Sequence, residues 1–339
     1  MIYNSNLLHI LFTTFITLFF VIYRIPISSK FNLIDNPEKN KIHTSPTPII
    51  ASFGIFLSFI YFYIIKIINN QESLDLVIFL MVTVGSFLIG LIDDKFKLSY
   101  KKKFLTLIPL LLITIFFSEN FIIYKYEFQI FQRVIAVDNI ILSTILTSFF
   151  LLLLMNSINL IDGINGLAMG IFIIWLFYYN FFISDSYSIY FIGILISALI
   201  TFYFIYKGYY FLGDSGSLFL SSMIGLLIIQ EYNQKINYPN KIFVENIFIL
   251  FMLPGYDMFR VFLNRIFKKK NPFVRSRDHL HDYLIKKFSL FSTLSIFFIY
   301  IIFFIFLYHL QVVNNFLLII LSIFSYLSIL YIGLKKFKN

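Results

Sequence analysis

The 339-residue sequence contains no cysteine, and only 13% of its residues are charged. The absence of cysteine excludes a disulfide framework, a thiolate nucleophile and a zinc–thiolate site. A soluble domain carries about 25% charged residues, so the shortage of charge argues against a soluble fold. Hydrophobic residues take their place and reach 59% of the chain, with a mean hydropathy of +0.86.

The hydrophobic residues occur in runs long enough to cross a bilayer, which predicts an all-α, polytopic integral membrane protein. A β-barrel would show short alternating segments instead. The first run lacks a basic start and a cleavage site, so we interpret it as a retained helix. We expect a single domain, residues 1–339, with about eleven spans; an amphipathic or re-entrant piece within 119–138 stays open. The predicted spans are 6–23, 48–68, 75–92, 103–118, 139–155, 166–183, 188–206, 217–230, 243–263, 288–310 and 315–334.

Basic residues gather on one side of these spans. All but five of the 27 lysines and arginines fall in the loops of a single side. Because positively charged loops stay in the cytoplasm, we predict an N-terminus outside and a cytoplasmic C-terminus. Membrane topology, rather than a nucleic-acid partner, therefore explains the formal net charge of +10. Several aspartates fall at helix ends on the same side, namely Asp93, Asp94, Asp162, Asp214, Asp257, Asp278 and Asp282.

A polar segment at 156–167 separates two hydrophobic runs. In it Asn156, Asn159 and Asp162 recur every three residues, so a helix would place them within one broad face. Amide and carboxylate oxygens are ligands for hard cations, and amide N–H groups can donate to phosphate or uracil. An asparagine-rich helix contact is the alternative, but the density of polar groups at a membrane edge favours a site.

Two shorter motifs add carboxylates. Asp93 and Asp94 close the third span, and adjacent carboxylates repel, which favours protonation of one or a bound Mg²⁺. Taken alone, a solvated helix end paired with Lys95 or Lys97 explains them slightly better. Residues 213–217, Gly-Asp-Ser-Gly-Ser, suit a helix start with free N–H groups for an anion, although an ordinary cap is a strong alternative for Asp214 in isolation.

The loop from residue 265 to 287 carries Arg275, Arg277, His279 and His281. Arginines bind phosphate through two parallel hydrogen bonds, and a histidine can donate to a diphosphate oxygen. A basic loop that meets anionic lipid accounts for the lysines, but not for two histidines within three residues. Together the motifs fit a metal-bound nucleotide diphosphate that meets a lipid phosphate.

Four motifs in chain order resemble the polyprenyl-phosphate N-acetylhexosamine-1-phosphate transferase family, in the undecaprenyl-phosphate branch of glycosyltransferase family 4. They are GLIDD at 90–94, NSINLIDGINGL at 156–167, FLGDSGS at 211–217 and RDHLH at 277–281. The stretch from 35–37 through 41–43 to 46–48 resembles that family's first cytoplasmic loop. The resemblance implies transfer of a sugar 1-phosphate from a UDP-amino sugar to undecaprenyl phosphate, with release of UMP. It also implies a multi-pass protein of the bacterial inner membrane with a cytoplasm-facing active site.

The resemblance further implies roles for individual residues. Mg²⁺, or Mn²⁺ in its place, would be held by Asp214 and Asn159. Asp93 or Asp94 would deprotonate or orient the lipid phosphate, and Asp162 would support the metal shell or position a lysine. His279, with Arg275 or Arg277, would hold the sugar-linked phosphate, and Asn165 would lie near uracil. The predicted catalytic residues are Asp93, Asp94, Asp162 and His279, and the predicted substrate-binding residues are Asn156, Asn165, Arg275, Arg277, His281 and Lys102.

The expected partners are a UDP-N-acetylhexosamine, undecaprenyl phosphate and membrane lipids, with no nucleic acid. A homodimer is a possible assembly.

The sequence departs from the family pattern after Pro48, where an Arg-x-Gly-Gly type turn is missing, and at Asp282, where another histidine is usual. The sparse histidine cluster favours a simple N-acetylhexosamine donor, for O-antigen, capsule or wall polymer, over a phospho-N-acetylmuramoyl-pentapeptide transferase. A transporter of an ion or organic phosphate is the remote alternative. It would place its acids near the membrane midplane, whereas the acids of this chain gather at one face. Direct displacement and a covalent intermediate both stay open.

Overall fold

The computed structural model describes residues 2–37, 45–68, 73–183, 189–235, 242–272, 277–311 and 313–335. Within them the chain is mainly helical, with two short antiparallel strand pairs, β1 with β2 and β3 with β4. The helices are α1 (Ile2–Ile22), α2 (Arg24–Phe31), α3 (Ser52–Ile68), α4 (Leu74–Phe96), α5 (Tyr100–Phe116), α6 (Ile140–Ile161), α7 (Leu167–Tyr178), α8 (Ile189–Tyr206), α9 (Gly213–Lys235), α10 (Val244–Phe267), α11 (Leu280–Leu284), α12 (Leu290–Leu310) and α13 (Asn315–Leu334). The strands are β1 (Ile34–Asp35), β2 (Thr47–Pro48), β3 (Lys125–Phe128) and β4 (Arg133–Ala136).

Each of the eleven predicted spans overlaps a helix, and the predicted and observed ends differ by up to six residues. Six described helices, α4, α6, α9, α10, α12 and α13, are long and apolar enough to cross a membrane. The count reaches seven if α1 and α2, which are bent by 71° relative to each other, form one span. The mainly helical structure with these long apolar helices agrees with an all-α, polytopic membrane protein. The number of eleven crossings, the sides of the two termini and a homodimer stay predictions.

The region 119–138 folds as a 3₁₀ turn (Glu119–Phe121) followed by the β3–β4 hairpin. The Glu245 carboxylate at the start of α10 accepts hydrogen bonds from the backbone N–H groups of Gln129 and Ile130, at 3.1 and 3.0 Å. The Tyr232 hydroxyl near the end of α9 donates to the Lys125 carbonyl at 2.7 Å. These bonds give partners to backbone N–H and C=O groups of the hairpin and fix the hairpin on the ends of two helices.

Helix α9 is the centre of the bundle. It is the least hydropathic of the six long helices, yet 83% of its apolar window is buried, the largest share among them. Small residues allow this enclosure, because they let neighbouring backbones approach closely. At Gly90 of α4, for example, an added Cβ would overlap the backbone of Asp214. The end of α4 and the start of α9 therefore touch directly, and the candidate site lies at this contact.

Candidate functional site

Lys103 lies between two aspartates at this end of the bundle. Its Nζ atom is 3.0 Å from Asp93 Oδ2, near the end of α4, and it also forms an ion pair with Asp214, at the start of α9. Asn159 of α6 donates from Nδ2 to Asp214 Oδ2 at 3.2 Å. Four separate helices thus contribute polar side chains to one cluster, which we call the Asp93–Lys103–Asp214 cluster.

The members of the cluster are held by the local backbone. Asp93 Oδ1 accepts a hydrogen bond of 2.6 Å from the backbone N–H of Leu98, in the link between α4 and α5. The side chains of Asp93 and Lys103 are 11% and 15% exposed, so solvent weakens their attraction only in part. Two carboxylates close to one ammonium leave net negative charge there, which suits a further cation.

Asp94 caps α9 from the neighbouring helix α4. Its Oδ1 atom accepts from the backbone N–H of Asp214 at 2.7 Å, and its Oδ2 atom from that of Ser215 at 2.9 Å. These donors belong to the first turn of α9, where backbone N–H groups lack partners within the helix. Gly213 permits the tight entry into α9, with φ at +73°. The position of Asp214 therefore depends on Asp94.

Replacing Asp94 by asparagine is expected to lower the stability by about 1–3 kcal/mol, because the amide can accept only one of the two backbone bonds and leaves a buried donor unpaired. The matched change, Asp93→Asn, keeps the bond to Leu98 and should cost less stability. Thermal unfolding of the purified variants in detergent measures the difference. Equal unfolding midpoints for the two variants would contradict the capping role of Asp94.

The donor set fits Mg²⁺ bound jointly with phosphate. Among the described residues, no three Asp, Glu, His or Cys side chains gather closely enough to hold a metal ion by themselves. Mg²⁺ usually takes only one or two carboxylates and completes its shell with waters and substrate phosphates. Asp214 supplies such a carboxylate, and the Asn159 amide, rotated by 180°, would present its oxygen to the same point. Lys103 lies close enough to neutralise a phosphate in the same place.

The part of the 265–287 loop that carries His279 and His281, which we call the histidine loop, forms the second part of the site. His279 Nδ1 lies 2.7 Å from Asp257 Oδ2 in α10, and the rings of His279 and His281 lie parallel with centroids 5.5 Å apart. Asp282 stands where the family pattern has a histidine, and its Oδ2 atom accepts from the His279 backbone N–H at 3.1 Å, so it caps α11. Burial lowers the pKa of the His281 imidazole to about 4, which leaves it neutral near pH 7.

The histidine loop meets the polar segment at Gly163, where an added Cβ would overlap His281 Nε2. The polar segment is helical up to Ile161, as its spacing predicts, but its side chains reach different neighbours. Asn159 reaches Asp214 in α9, whereas Asn156 Nδ2 is 3.4 Å from Met258 Sδ in α10. The segment therefore links the cluster to the helix that carries Asp257.

The remaining predicted residues lie around these two groups. Asp162 directly follows α6, and Asn165 lies beside Gly208 in the turn after α8. Lys102 is exposed and lines an apolar groove with Ile89, Ile92, Leu98, Leu105 and Thr106. Arg277 is exposed. Arg275 and the stretch 41–43 fall outside the described residues.

Two residues of the site were missed by sequence reasoning. Lys103 is the last of three consecutive lysines, and only the orientation of α5 shows which of them turns inward. Asp257 interrupts the apolar run 247–259, and such an isolated acid within a membrane segment is itself a functional signal. That signal gives no indication of its partner, which lies 22 residues further along the chain.

Comparisons with known proteins identify similar sequences. The sequence model of glycosyl transferase family 4 matches residues 76–231, a range that includes the Asp93–Lys103–Asp214 cluster and the polar segment. The probable undecaprenyl-phosphate N-acetylglucosaminyl 1-phosphate transferase of Bacillus subtilis (strain 168) is 25% identical over 274 residues, which cover 76% of this chain and 71% of the relative. The undecaprenyl-phosphate alpha-N-acetylglucosaminyl 1-phosphate transferase of Thermotoga maritima is 26% identical over 269 residues, with 79% and 78% covered.

A third relative belongs to another branch. The phospho-N-acetylmuramoyl-pentapeptide-transferase of Staphylococcus aureus (strain bovine RF122 / ET3-1) is 28% identical over 253 residues, which cover 69% of this chain and 77% of the relative. The matches agree with the resemblance that the four motifs indicate. Residues 76–231 of the chain are similar to glycosyl transferase family 4, and the relatives indicate a transferase of phosphate-containing groups.

Proposed function

We propose that the protein transfers an N-acetylhexosamine 1-phosphate from a UDP-sugar to undecaprenyl phosphate in a Mg²⁺-dependent reaction that releases UMP. The observation that carries this proposal is the Asp93–Lys103–Asp214 cluster. Attack of a lipid phosphate on a diphosphate brings several negative charges together, so the reaction depends mainly on their neutralisation. Lys103 and a metal ion on Asp214 would supply the positive charge.

The contacts divide the acidic pair into two roles. Asp94 is engaged with the backbone of α9 through both oxygens, whereas Asp93 faces Lys103. We therefore assign to Asp93 the task of deprotonating or orienting the lipid phosphate, and to Asp94 that of holding Asp214. Asp214 and Asn159 would bind Mg²⁺, or Mn²⁺ in its place, together with the donor diphosphate.

The groove beside Lys102 suits the acceptor. It is lined mainly by apolar side chains of α4 and α5, and Lys102 directly precedes Lys103. A molecule with an isoprenoid chain and a phosphate head would lay its chain in the groove and direct the phosphate to the two lysines. Binding of the phosphate there would bring it to Asp93 and Lys103, where the reaction is proposed to occur.

The donor would lie on the opposite side of the cluster, between the polar segment and the histidine loop. Asn165 and Asn156 offer amides to the nucleotide, Arg277 and His279 would hold the sugar-linked phosphate, and neutral His281 can offer one N–H. The concentration of lysines and arginines at this end favours a cytoplasmic location in the bacterial inner membrane. The product would initiate a lipid-linked glycan such as O-antigen, capsule or wall polymer.

A panel of radiolabelled UDP-sugars tests the proposal. Purified protein with undecaprenyl phosphate and Mg²⁺ should release UMP and form a lipid diphosphate sugar from UDP-N-acetylglucosamine or an epimer, as identified by mass spectrometry. Chelation of Mg²⁺ should abolish the product, and Mg²⁺ or Mn²⁺ should restore it. The Asp214→Asn protein, prepared in parallel, controls for contaminating enzymes.

The similarity to muramoyl-pentapeptide transferases supports a second candidate donor. The same panel should therefore include UDP-N-acetylmuramoyl-pentapeptide. Product from this donor alone would assign the protein to peptidoglycan synthesis and reject the simple-sugar assignment. Absence of product from every donor, with folded protein, would reject the proposed reaction.

A further inference from the structure

We propose that Asp257 is a positioning residue that fixes one proton of His279 on Nδ1, so that Nε2 is the nitrogen that takes up a second proton and donates it in a hydrogen bond to the donor phosphate. Asp257 lies in α10 and has no place in the cluster of Asp93, Lys103 and Asp214. The kinetic part of this inference rests on the proposed function, because it assumes that His279 holds the sugar-linked phosphate. The structural part, which concerns the position of a proton, does not.

The two oxygens of Asp257 have different partners. Oδ1 accepts three hydrogen bonds, from Arg260 Nη2 at 2.7 Å, the backbone N–H of Leu280 at 3.0 Å and the Tyr326 hydroxyl at 3.0 Å. Oδ2 faces His279 Nδ1 at 2.7 Å. Because an ionised carboxylate only accepts hydrogen bonds, Nδ1 must carry the proton.

The carboxylate cannot exchange its oxygens without losing this arrangement. Arg260 also donates from Nε to the Tyr326 hydroxyl at 2.8 Å and from Nη2 to the Asp278 carbonyl at 2.5 Å. The three donors on Oδ1 therefore come from α10, α11 and α13, and two of them are bonded to each other. Asp257 is 2% exposed, so water does not compete for these positions.

Replacing Asp257 by asparagine tests the arrangement, because the amide has one accepting and one donating end. The amide oxygen must take the place of Oδ1, since the three donors there need an acceptor. The NH₂ group then faces His279 Nδ1, which can accept only if it is unprotonated. The Asp257→Asn change should therefore move the proton of neutral His279 from Nδ1 to Nε2, with no change in the size of the side chain.

Magnetic resonance of protein labelled with ¹⁵N-histidine measures the proton directly. The chain has only 5 histidines, so the His279→Gln variant identifies the resonances of His279. Wild-type protein should show His279 protonated on Nδ1, and Asp257→Asn protein should show it on Nε2. Asp75→Asn makes the same chemical change near the other end of α4, where Asp75 accepts from Ser118 and Asn120; it should leave the His279 spectrum unchanged.

Either of two spectra would overturn the proposal. One is a neutral His279 with its proton on Nε2 in the wild-type protein, a measurement that does not depend on the folding of the Asp257→Asn variant. The other is the same His279 tautomer in wild-type and Asp257→Asn protein. Both readouts are independent of any substrate, so they separate this inference from the proposed reaction.

Kinetics then show whether the proton position matters for turnover. Asp257→Asn should lower kcat about 10²-fold with little change in the KM for the UDP-sugar, as expected for the partner of a reacting or binding histidine. In His279→Gln protein the same change should cause no further loss. Additive losses in the double variant would show that Asp257 acts independently of His279 and would overturn the kinetic part.

Tyr326 provides a milder test with a matched control. Tyr326→Phe removes one donor from Asp257 Oδ1 and should lower kcat several-fold, less than Asp257→Asn. Tyr300→Phe removes another buried hydroxyl, which donates to the Ser322 carbonyl of the same helix α13 at 2.7 Å, without touching Asp257. Equal losses of activity in the two tyrosine variants would mean that only the packing of α13 matters, which contradicts the proposed network.

Discussion

Replacing Lys103 by methionine is expected to lower the rate of UMP release about 10³-fold. Methionine keeps most of the length of the side chain but removes the ammonium that lies between Asp93 and Asp214. The two carboxylates then lose their shared counter-charge, and the lipid phosphate loses a cation that would stabilise it as it attacks. Loss of one such charge from a phosphoryl-transfer site costs about 10³- to 10⁵-fold. Initial rates at saturating Mg²⁺ and donor measure the effect.

The neighbouring lysine is the matched control. Lys102 is exposed at the edge of the groove, and a lysine near an anionic surface contributes about 1 kcal/mol. Lys102→Met should therefore raise the KM for the lipid acceptor roughly 5-fold, leave kcat nearly unchanged, and matter less at high salt. A larger loss of kcat in Lys102→Met than in Lys103→Met would reject the position assigned to Lys103.

The Asp214→Asn substitution should lower turnover at least about 10³-fold. This loss is expected when the negative charge of the transition state is no longer stabilised by a metal ion. The substitution removes the carboxylate that pairs with Lys103 and accepts from Asn159. The fold should persist, because Asp94 caps α9 through the backbone N–H groups of residues 214 and 215, which the substitution leaves in place. A thermal midpoint near that of the wild type would verify this expectation.

Two measurements distinguish weaker metal binding from misfolding in this variant. The initial rate should require a much higher Mg²⁺ concentration, and Mn²⁺ binding with donor present, followed by electron paramagnetic resonance, should weaken. Asp278→Asn is the control, because the Asp278 carboxylate accepts a long hydrogen bond from the Tyr283 hydroxyl, at 3.5 Å, and forms no hydrogen bond with the cluster among the described residues. Mg²⁺-dependent turnover at the wild-type level in Asp214→Asn protein would reject Asp214 as a metal ligand.

Much of the helical framework could be predicted from hydrophobic runs, because a bilayer requires every spanning segment to satisfy its own backbone. The β3–β4 hairpin escaped prediction, since its four-residue strands are too short for a clear alternating pattern. Its position depends on Glu245 and Tyr232, which lie more than a hundred residues further along the chain.

The site was predictable to the extent that its chemistry lies in local motifs. Asp93, Asn159 and Asp214 stand in polar segments that hydrophobic surroundings make conspicuous, and the structure brings them together. Which of two adjacent residues faces inward was not predictable for Asp93 and Asp94, or for Lys102 and Lys103. The answer depends on how α4 and α5 rotate against α9, and this rotation is a property of the packed bundle.

The burial of α9 has a consequence for how the protein is made. A helix that is poorly hydropathic and almost fully enclosed is a weak candidate for independent insertion into lipid. During synthesis α4 and α6 emerge first and can receive it, whereas α10 follows. The start of α9 finds its cap only when Asp94 is already in place. We therefore expect the insertion of α9 to be coupled to the assembly of the Asp93–Lys103–Asp214 cluster at its start.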